Sequence, residues 1–550
     1  MGRAGAPAIR AIEGPVSSPN RRRLGVAAAV VGLFAAGWAL GWTGALARDR
    51  YEHVDLFVEV LSRVDQYYVD PVEPGKLVKG AIDGMLRRLD PFSTYLDEPA
   101  LNSLNAATSG EFGGLGIVVS VREGWPTVIS VLPGTPAFGL GIQPGDRIVE
   151  IEGKTTRALD IDAVVSQLRG AVGSQVKVVV RREGDADPHA YTVTRETIKV
   201  ESVPYTMLFP GGVGYVRLQT FSATSGAEVR RAVTQLEKDG AKSLVLDLRG
   251  NGGGLLTEAV DVGEVFLPKG AVVVETRGRT RGANQTFLAE GERPSLAQPL
   301  VVLVDDFTAS AAEIVAGAVQ DHDRGLVVGE PTFGKGSVQS VFNIPGRKAA
   351  LKLTTAKYYT PSGRSIHKDV FEAGRGPHGE AADEEGEDGG DGGEAGADSA
   401  QAPPDSAAKP RFKTDAGRTV YGGGGITPDV VVRPDTLVNP ALEIERRGLF
   451  FKYAIQRLPK AQAELAVTPE IWRDFGEFLR EEKLSTTPDS LAAQRAYIET
   501  GIRREAARRV GRDAAAFRVT AGEDQVLQKA LELLRRTRGA RDLLKLSSLH

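Results

Sequence analysis

Cysteine is absent from this 550-residue chain. Its absence excludes thiol catalysis, cysteine-based metal sites, disulfides and a lipid anchor on cysteine, and it is compatible with an oxidising compartment. An excess of charge of one sign is missing too. There are 68 basic and 71 acidic side chains, a net charge of −3, which gives no global electrostatic reason to bind nucleic acid. Histidine is scarce, with six in all: His53, His189, His322, His367, His378 and His550. No HExxH or comparable cluster exists, so neither a metal nor another cofactor is expected.

What is present begins with an ordinary globular composition, 41% hydrophobic and 25% charged, in a chain long enough for about two to four domains. Arg21, Arg22 and Arg23 precede an uncharged run, Leu24–Ala47, which ends at Arg48, Asp49 and Arg50. About 20 such residues span a bilayer. Arginines before the run argue for a cytoplasmic tail (1–23), a single-pass transmembrane anchor (24–47) and an exported body. The run closes on Ala45-Leu46-Ala47, which resembles a signal-peptidase site. Its length exceeds that of a signal core, so the expectation is an uncleaved anchor in the membrane, with a secreted protein as the outcome if cleavage follows Ala47.

Residues 51–107 read as a helical segment: Val54, Phe57, Val58, Leu61 and Val64 recur at three- and four-residue steps, and a second apolar helix around 77–89 is closed by Asp90-Pro91. Packing is the first reading of these faces; a self-associating arm, giving a homodimer or higher oligomer, is the other. Residues 108–198 change character, with short Val/Ile runs between Gly and Pro signals. GGLGIVVSV (113–121), TVISVLPGTPA, GLGIQPGDRIVEIEGK, the helical DIDAVVSQLRG and VKVVVRREG follow in an order that closely resembles a PDZ domain. In that family a Gly-rich turn presents backbone N–H groups to a peptide's terminal carboxylate, and the peptide adds as a strand. By that resemblance the turn here is Gly114-Leu115-Gly116-Ile117. A GLGI turn alone most often only reverses a chain; the segments at the right distances behind it make the assignment.

Residues 199–437 alternate strands with helices. GYVRLQTF, SLVLDLRGN, PLVVLVDD and LVVGEP read as strands; AEVRRAVTQLEKDG, 255–267 and SAAEIVAGAVQ read as helices. That order predicts a layered α/β domain, and the near-continuous apolar strands predict cover on both faces. The acidic Gly/Ala/Pro-rich stretch 372–410 cannot bury enough surface to offset ordering and reads as a disordered loop insertion within one β segment. Residues 438–550 read as helical, and Val526, Leu527, Ala530, Leu531, Leu533 and Leu534 line one helix face that caps either the core or an interface.

Three segments of this domain bear on chemistry. DDFTASAAEIVAG (305–317) places Ser310 where a strand yields to a helix, so the Ala311 N–H and the helix N-terminus lie near its hydroxyl. The plain reading is a helix-capping serine. GEPTFGKGSVQS (329–340) places Lys335 in a Gly-Lys-Gly turn, where the plain reading is a solvated lysine. Burial that lowers the pKa of a lysine turns it into a base able to take a serine proton. Gln339, four residues on, falls on the same side of a strand or helix as Lys335 and is placed to orient the amine. LDLRGNGGG (246–254) supplies Gly252 and Gly253 after a buried strand, as an oxyanion hole requires and as an ordinary tight turn also does. Gly329 to Lys335 also matches GxxxxGK, but Gly336 stands where Ser or Thr would hold magnesium and a strand follows, which disfavours a nucleotide site. A Ser310–His–Asp247 triad is disfavoured because neither His322 nor His367 sits in a triad-like turn.

Taken together, TASAAEI, GEPTFGKGSVQ and DLRGNGGG, with the PDZ-like segment ahead of them, resemble the C-terminal processing (tail-specific) peptidases from about 52 to 435. These are membrane-associated or exported serine endopeptidases with a Ser/Lys dyad. The resemblance implies Ser310 as nucleophile, Lys335 as general base, Gln339 as its orienting partner, and the Ala311 amide with Gly252 or Gly253 as oxyanion hole. It also matches Arg169 to an arginine that couples peptide binding to the active site. It implies protein substrates with apolar C-termini and work on the periplasmic face of a bacterial inner membrane. The expected fold class is α/β multidomain: a transmembrane helix, a helical N-terminal arm, a β-rich PDZ domain, a layered α/β peptidase core and a helical C-terminal region. The competing expectation is a scaffold that binds C-termini and has lost catalysis.

Overall fold

The computed structural model describes residues 53–291, 298–368, 409–458, 465–537 and 539–546. The expected anchor 24–47 and the acidic stretch 372–408 lie outside them. No helix among the described residues is long and apolar enough to cross a membrane. The chain divides into a unit ending at Met85 and another beginning at Leu86. In the first, residues 53–67 are helical, and the helix Pro74–Arg87 follows. The packing expected of Val54, Phe57 and Val58 is not realised: they stay 55%, 43% and 56% exposed. Their helical spacing is real, and Leu61 and Val64 further along the same face are half-buried.

The second unit opens with a small antiparallel sheet. Its strands run in the order Ile117–Arg122, Trp125–Val131, Arg147–Ile151, Gln175–Arg181 and His189–Thr194. Alternation explains the strands: Val176, Val178 and Val180 face inward, with Ile148, Ile151 and Val193, while their neighbours face out. The helix Ile161–Leu168 starts where Asp160 accepts from the Ala163 N–H at 2.6 Å, and it buries Val164 and Leu168 in the same core. Ile117–Arg122 is an edge strand, bonded on one side only.

A six-stranded sheet forms the larger core, in the order Thr206–Phe209, Val213–Arg217, Ser243–Asp247, Leu300–Val304, Leu326–Gly329 and Val430–Val431. The first pair is antiparallel and the rest are parallel. The fully buried strands Ser243–Asp247 and Leu300–Val304 match their continuous apolar sequences. On one face lie the helices Ser225–Lys238, Leu256–Phe266 and Ala311–Asp321. On the other lies Gln525–Arg535, which buries all six of the apolar residues named for it against the strands. Each of the Val and Leu side chains among them contributes about 1.5–3 kcal/mol, so this helix is part of the core and not a detachable tail. Val430–Val431 returns to the sheet after the acidic stretch, which therefore interrupts one domain.

A second sheet centres on the long strand Ala350–Tyr359, which pairs with Thr94–Leu96, Ser337–Asn343 and Val272–Gly278. Further along the chain, the helix Leu449–Gln456 meets the small β domain. Lys452 Nζ reaches Glu123 at 2.5 Å and Glu482 at 2.8 Å, and Gln456 Nε2 donates to Glu183 at 2.6 Å. The C-terminal helices thus touch both other parts of this unit.

Candidate active site

Ser310 is the N-cap of Ala311–Asp321, and its backbone is held at φ 58°, ψ −118°. A serine with positive φ is strained by about 1–3 kcal/mol and needs neighbours that over-determine it. They are present. Its N–H donates to Oε2 of Glu313 at 2.8 Å, and the Ala309 N–H donates to the Asn251 carbonyl at 2.9 Å. Gly253 presses from the other side: a Cβ there would lie 2.7 Å from Ser310 Cβ and 2.8 Å from the Ala311 nitrogen. Only glycine fits, so the 252–254 turn and the Ser310 turn are brought together as the motifs suggested.

Glu313 knits this turn to the lysine loop. Its fully buried carboxylate accepts from the Ser310 and Lys335 N–H groups on one oxygen, at 2.8 and 2.9 Å. The other oxygen accepts from the Gly334 N–H at 2.7 Å and the Thr332 hydroxyl at 2.5 Å. Burial pushes its pKa up, against the pull of those four donors. The S-x-x-E spacing of a capping box was available in Ser310 to Glu313 and could have found this residue. Replacing Glu313 by alanine strands four donors in the interior. The expected cost is about 3–5 kcal/mol in urea unfolding together with loss of activity, whereas a surface carboxylate variant should cost less than about 0.5 kcal/mol.

Lys335 is half-buried. Its Nζ lies 5.0 Å from the centre of the Phe92 ring. Burial lowers its pKa, and the neighbouring Lys352 ammonium lowers it further, while Glu313 and Asp90 pull the other way. A solvated loop lysine is therefore not what the structure shows. The amine makes no hydrogen bond to Ser310, and the Tyr358 hydroxyl donates to the Lys335 carbonyl. Phe92, Asp90 and Lys352 were missed in the sequence. They reach the site through pairing of 94–96 with 350–352, a contact between segments about 250 residues apart that no local pattern encodes.

Gln339 corrects the sequence expectation. Its Nε2 donates to the Ser337 carbonyl and hydroxyl at 3.4 and 3.0 Å and to the Thr354 hydroxyl at 3.3 Å, not to the amine. Lys335 lies in the loop ahead of the strand Ser337–Asn343, so the rule that positions four apart share a strand face does not extend to it. The two oxyanion glycines also separate. The Gly253 N–H already donates to Asn251 Oδ1 at 2.9 Å, whereas Gly252 is exposed with open space beside it. The Ala311 N–H opens its helix and so lacks an i−4 carbonyl. Among the described hydrogen bonds, the Gly252 and Ala311 amides have no acceptor. Of the triad candidates, His367 lies beside the lysine loop, where its Nδ1 accepts from the Gly336 N–H at 3.3 Å, whereas Asp247 and His322 are engaged elsewhere. Although burial opposes ionisation, Arg249 and Arg217 hold the Asp247 carboxyl down at about 2, and Tyr215 donates to it. His322 is engaged by Asp415 and the Val272 carbonyl.

In the small β domain, Gly114 ends a strand paired to Glu196, and the buried Leu115 has its carbonyl on the Ala137 N–H at 3.0 Å. Gly116 sits at φ 80° with its carbonyl on the Leu132 N–H, and a Cβ there would lie 2.3 Å from the Thr135 side chain. The carbonyls of the turn are thus taken inward, and Ile117 leads into the edge strand. Arg169 ends the flanking helix and stacks on Phe112, its guanidinium carbon 4.2 Å from the ring centre; burial lowers its pKa. Its described partner is this ring beside the turn, not a residue around Ser310.

Comparison with known proteins now bears on these sites. The model of peptidase family S41 matches residues 212–374, a PDZ domain model matches 127–182, and the model of the activating protease CtpB N-terminal domain matches 45–100. A carboxy-terminal-processing protease of Bartonella bacilliformis is 39% identical over 58% of this chain and 74% of its own length. The chain belongs to the carboxyl-terminal processing proteases of peptidase family S41. It is a serine-type peptidase with a PDZ domain. The processing protease of Synechocystis is 37% identical over 55% of this chain and 72% of its own. A solved photosystem II D1 C-terminal processing protease is 33% identical, covering 57% of this chain and 89% of its own, at a TM-score of 0.34.

Proposed function

We propose that this peptidase captures the C-terminal tails of exported proteins on its PDZ domain and cleaves them with a Ser310/Lys335 dyad. The observation that carries this reading is the pairing of a strained, glycine-flanked serine with a half-buried lysine whose charged form is disfavoured, both held by one carboxylate. Neutral Lys335 takes the Ser310 proton as Oγ attacks the scissile carbonyl. The Gly252 and Ala311 amides receive the developing oxyanion, and the C-terminal fragment leaves. Water then hydrolyses the acyl-enzyme with Lys335 again as base. For this reaction the Ser310 hydroxyl and the Lys335 amine must come within hydrogen-bonding reach, by side-chain rotation within the pocket.

Tail capture is supported by the free edge of Ile117–Arg122, the Gly114–Ile117 turn ahead of it and the helix Ile161–Leu168 alongside. Arg169, stacked on Phe112, would sense the peptide through that ring. The run 24–47 would tether the body at the periplasmic face of the inner membrane. The test is a matched peptide pair with a free or an amidated C-terminus. Amidation should raise KM by about tenfold or more with kcat nearly unchanged, as loss of a charge-assisted bond at a remote subsite requires. Equal KM values would remove the carboxylate turn from the mechanism.

A further inference from the structure

Asp524 lies 275 residues beyond Arg249, outside the motifs that mark the site, yet the two side chains meet in a fork. Arg249 Nη1 donates to Oδ1 of Asp524 at 2.9 Å and Nη2 donates to Oδ2 at 2.7 Å, and both side chains are largely buried. The other edge of the guanidinium is held by Asp247, with Nε on Oδ1 at 3.1 Å and Nη2 on Oδ2 at 2.7 Å. Asp524 is itself fixed. Its Oδ1 accepts the Leu527 N–H at 3.0 Å and so caps the helix Gln525–Arg535, which is packed against the sheet. Arg249 opens the turn that runs through Gly250 and Asn251 to Gly252, and its neighbours bond to the nucleophile segment instead. The Gly250 N–H donates to Asp305 at 2.9 Å, the Leu248 carbonyl accepts from the Thr308 hydroxyl at 3.0 Å, and the Asn251 carbonyl accepts from the Ala309 N–H at 2.9 Å. The helices Ala311–Asp321 and Gln525–Arg535 lie on opposite faces of the six-stranded sheet, so the turn is gripped from both.

We propose that Asp524 is a positioning residue for the oxyanion hole, holding the 249–252 turn through the Arg249 guanidinium so that the Gly252 N–H is aimed at the acyl oxygen. The inference rests on the reading of Ser310 as nucleophile and Gly252 as oxyanion donor. Asp524 touches neither substrate nor reacting atoms, and its effect is geometric. An amide stabilises an oxyanion only from about 2.7–3.1 Å, and a displacement of about 1 Å costs up to about 100-fold in rate. A forked ion pair suits this task, because two parallel bonds fix the angle of the guanidinium as well as its distance. The C-terminal helix thereby supports the chemistry as well as covering the sheet.

The experiment compares the full chain with Asp524→Asn, which still caps the helix but cannot accept from the guanidinium on both branches. The readouts are peptide cleavage and the rate at which a small fluorophosphonate labels Ser310, followed across pH. The expected result is kcat and a labelling plateau lower together by about tenfold or more, with KM within about twofold and the pH limb in place. In an Arg249→Met background the same substitution should change kcat by less than about twofold, because the guanidinium is already gone. An unchanged kcat in Asp524→Asn overturns the proposal. So does a full tenfold loss in the Arg249→Met background, since the carboxylate would then act by another route. A limb displaced by about one pH unit or more also overturns it, because the change would then lie at Lys335. Leu531→Ala, in the same helix but away from the pair, separates positioning from packing and decides if Arg249→Met is too unstable to assay. It should lower the thermal midpoint and keep kcat within about twofold. An equal fall of kcat in Leu531→Ala and Asp524→Asn overturns the proposal. Wild-type protein that is not labelled at Ser310 would instead remove the nucleophile assignment, a different failure.

Discussion

Ser310→Ala should leave a folded chain that still binds a tail peptide and cleaves nothing, with kcat down by about 10⁴–10⁶-fold. The size follows from the covalent route: without Oγ no acyl-enzyme forms, and the Gly252 and Ala311 amides can stabilise only a slow direct attack by water. Stability should hold, because removing one hydroxyl empties little volume. Equilibrium binding of a labelled C-terminal peptide, measured beside cleavage, separates this loss from unfolding. Residual cleavage within about tenfold of wild type would mean that another side chain is the nucleophile.

The second large effect belongs to Lys335. Lys335→Ala should lower kcat by about 10²–10⁴-fold or more, the range for a lost general base. Lys335→Arg should be no better, since a guanidinium stays protonated. The pH dependence has a definite sign. A base works only when unprotonated, so log kcat/KM should rise with slope one as pH passes the pKa of Lys335, then level off. Because burial and the Lys352 ammonium lower that pKa, the limb lies below the 10.5 of an unperturbed lysine. Lys352→Gln removes one of those two causes and should shift the limb to higher pH with its plateau retained. A limb moving to lower pH in that variant would contradict the charge argument.

Much of this was legible along the chain. Apolar runs announced the buried parallel strands, helical spacing picked out the six residues that Gln525–Arg535 buries, and three short motifs marked the turns that meet at Ser310. What stayed hidden has a common cause. Tyr358, Phe92, Asp90 and Lys352 enter through strand pairing in the second sheet, where register and not local sequence decides which side chain faces the site. Gln339 was misplaced because Lys335 sits in the loop before the strand Ser337–Asn343, where strand alternation does not apply. Ser310 read as a helix cap because its sequence is that of a cap; the positive φ arises from the fit against Gly253. Glu313 was within reach, since its spacing from Ser310 is that of a capping box, but its bonds to Thr332, Gly334 and Lys335 come from tertiary approach.

The most direct measurement is the rate of Ser310 acylation by an activated ester, followed by intact mass across pH, in wild type and Lys335→Ala. One acyl group per chain should appear on Ser310. Its rate should climb tenfold per pH unit up to a plateau in wild type, and be slow and without that limb in the variant. Superimposable profiles for the two proteins would contradict a lysine-activated serine.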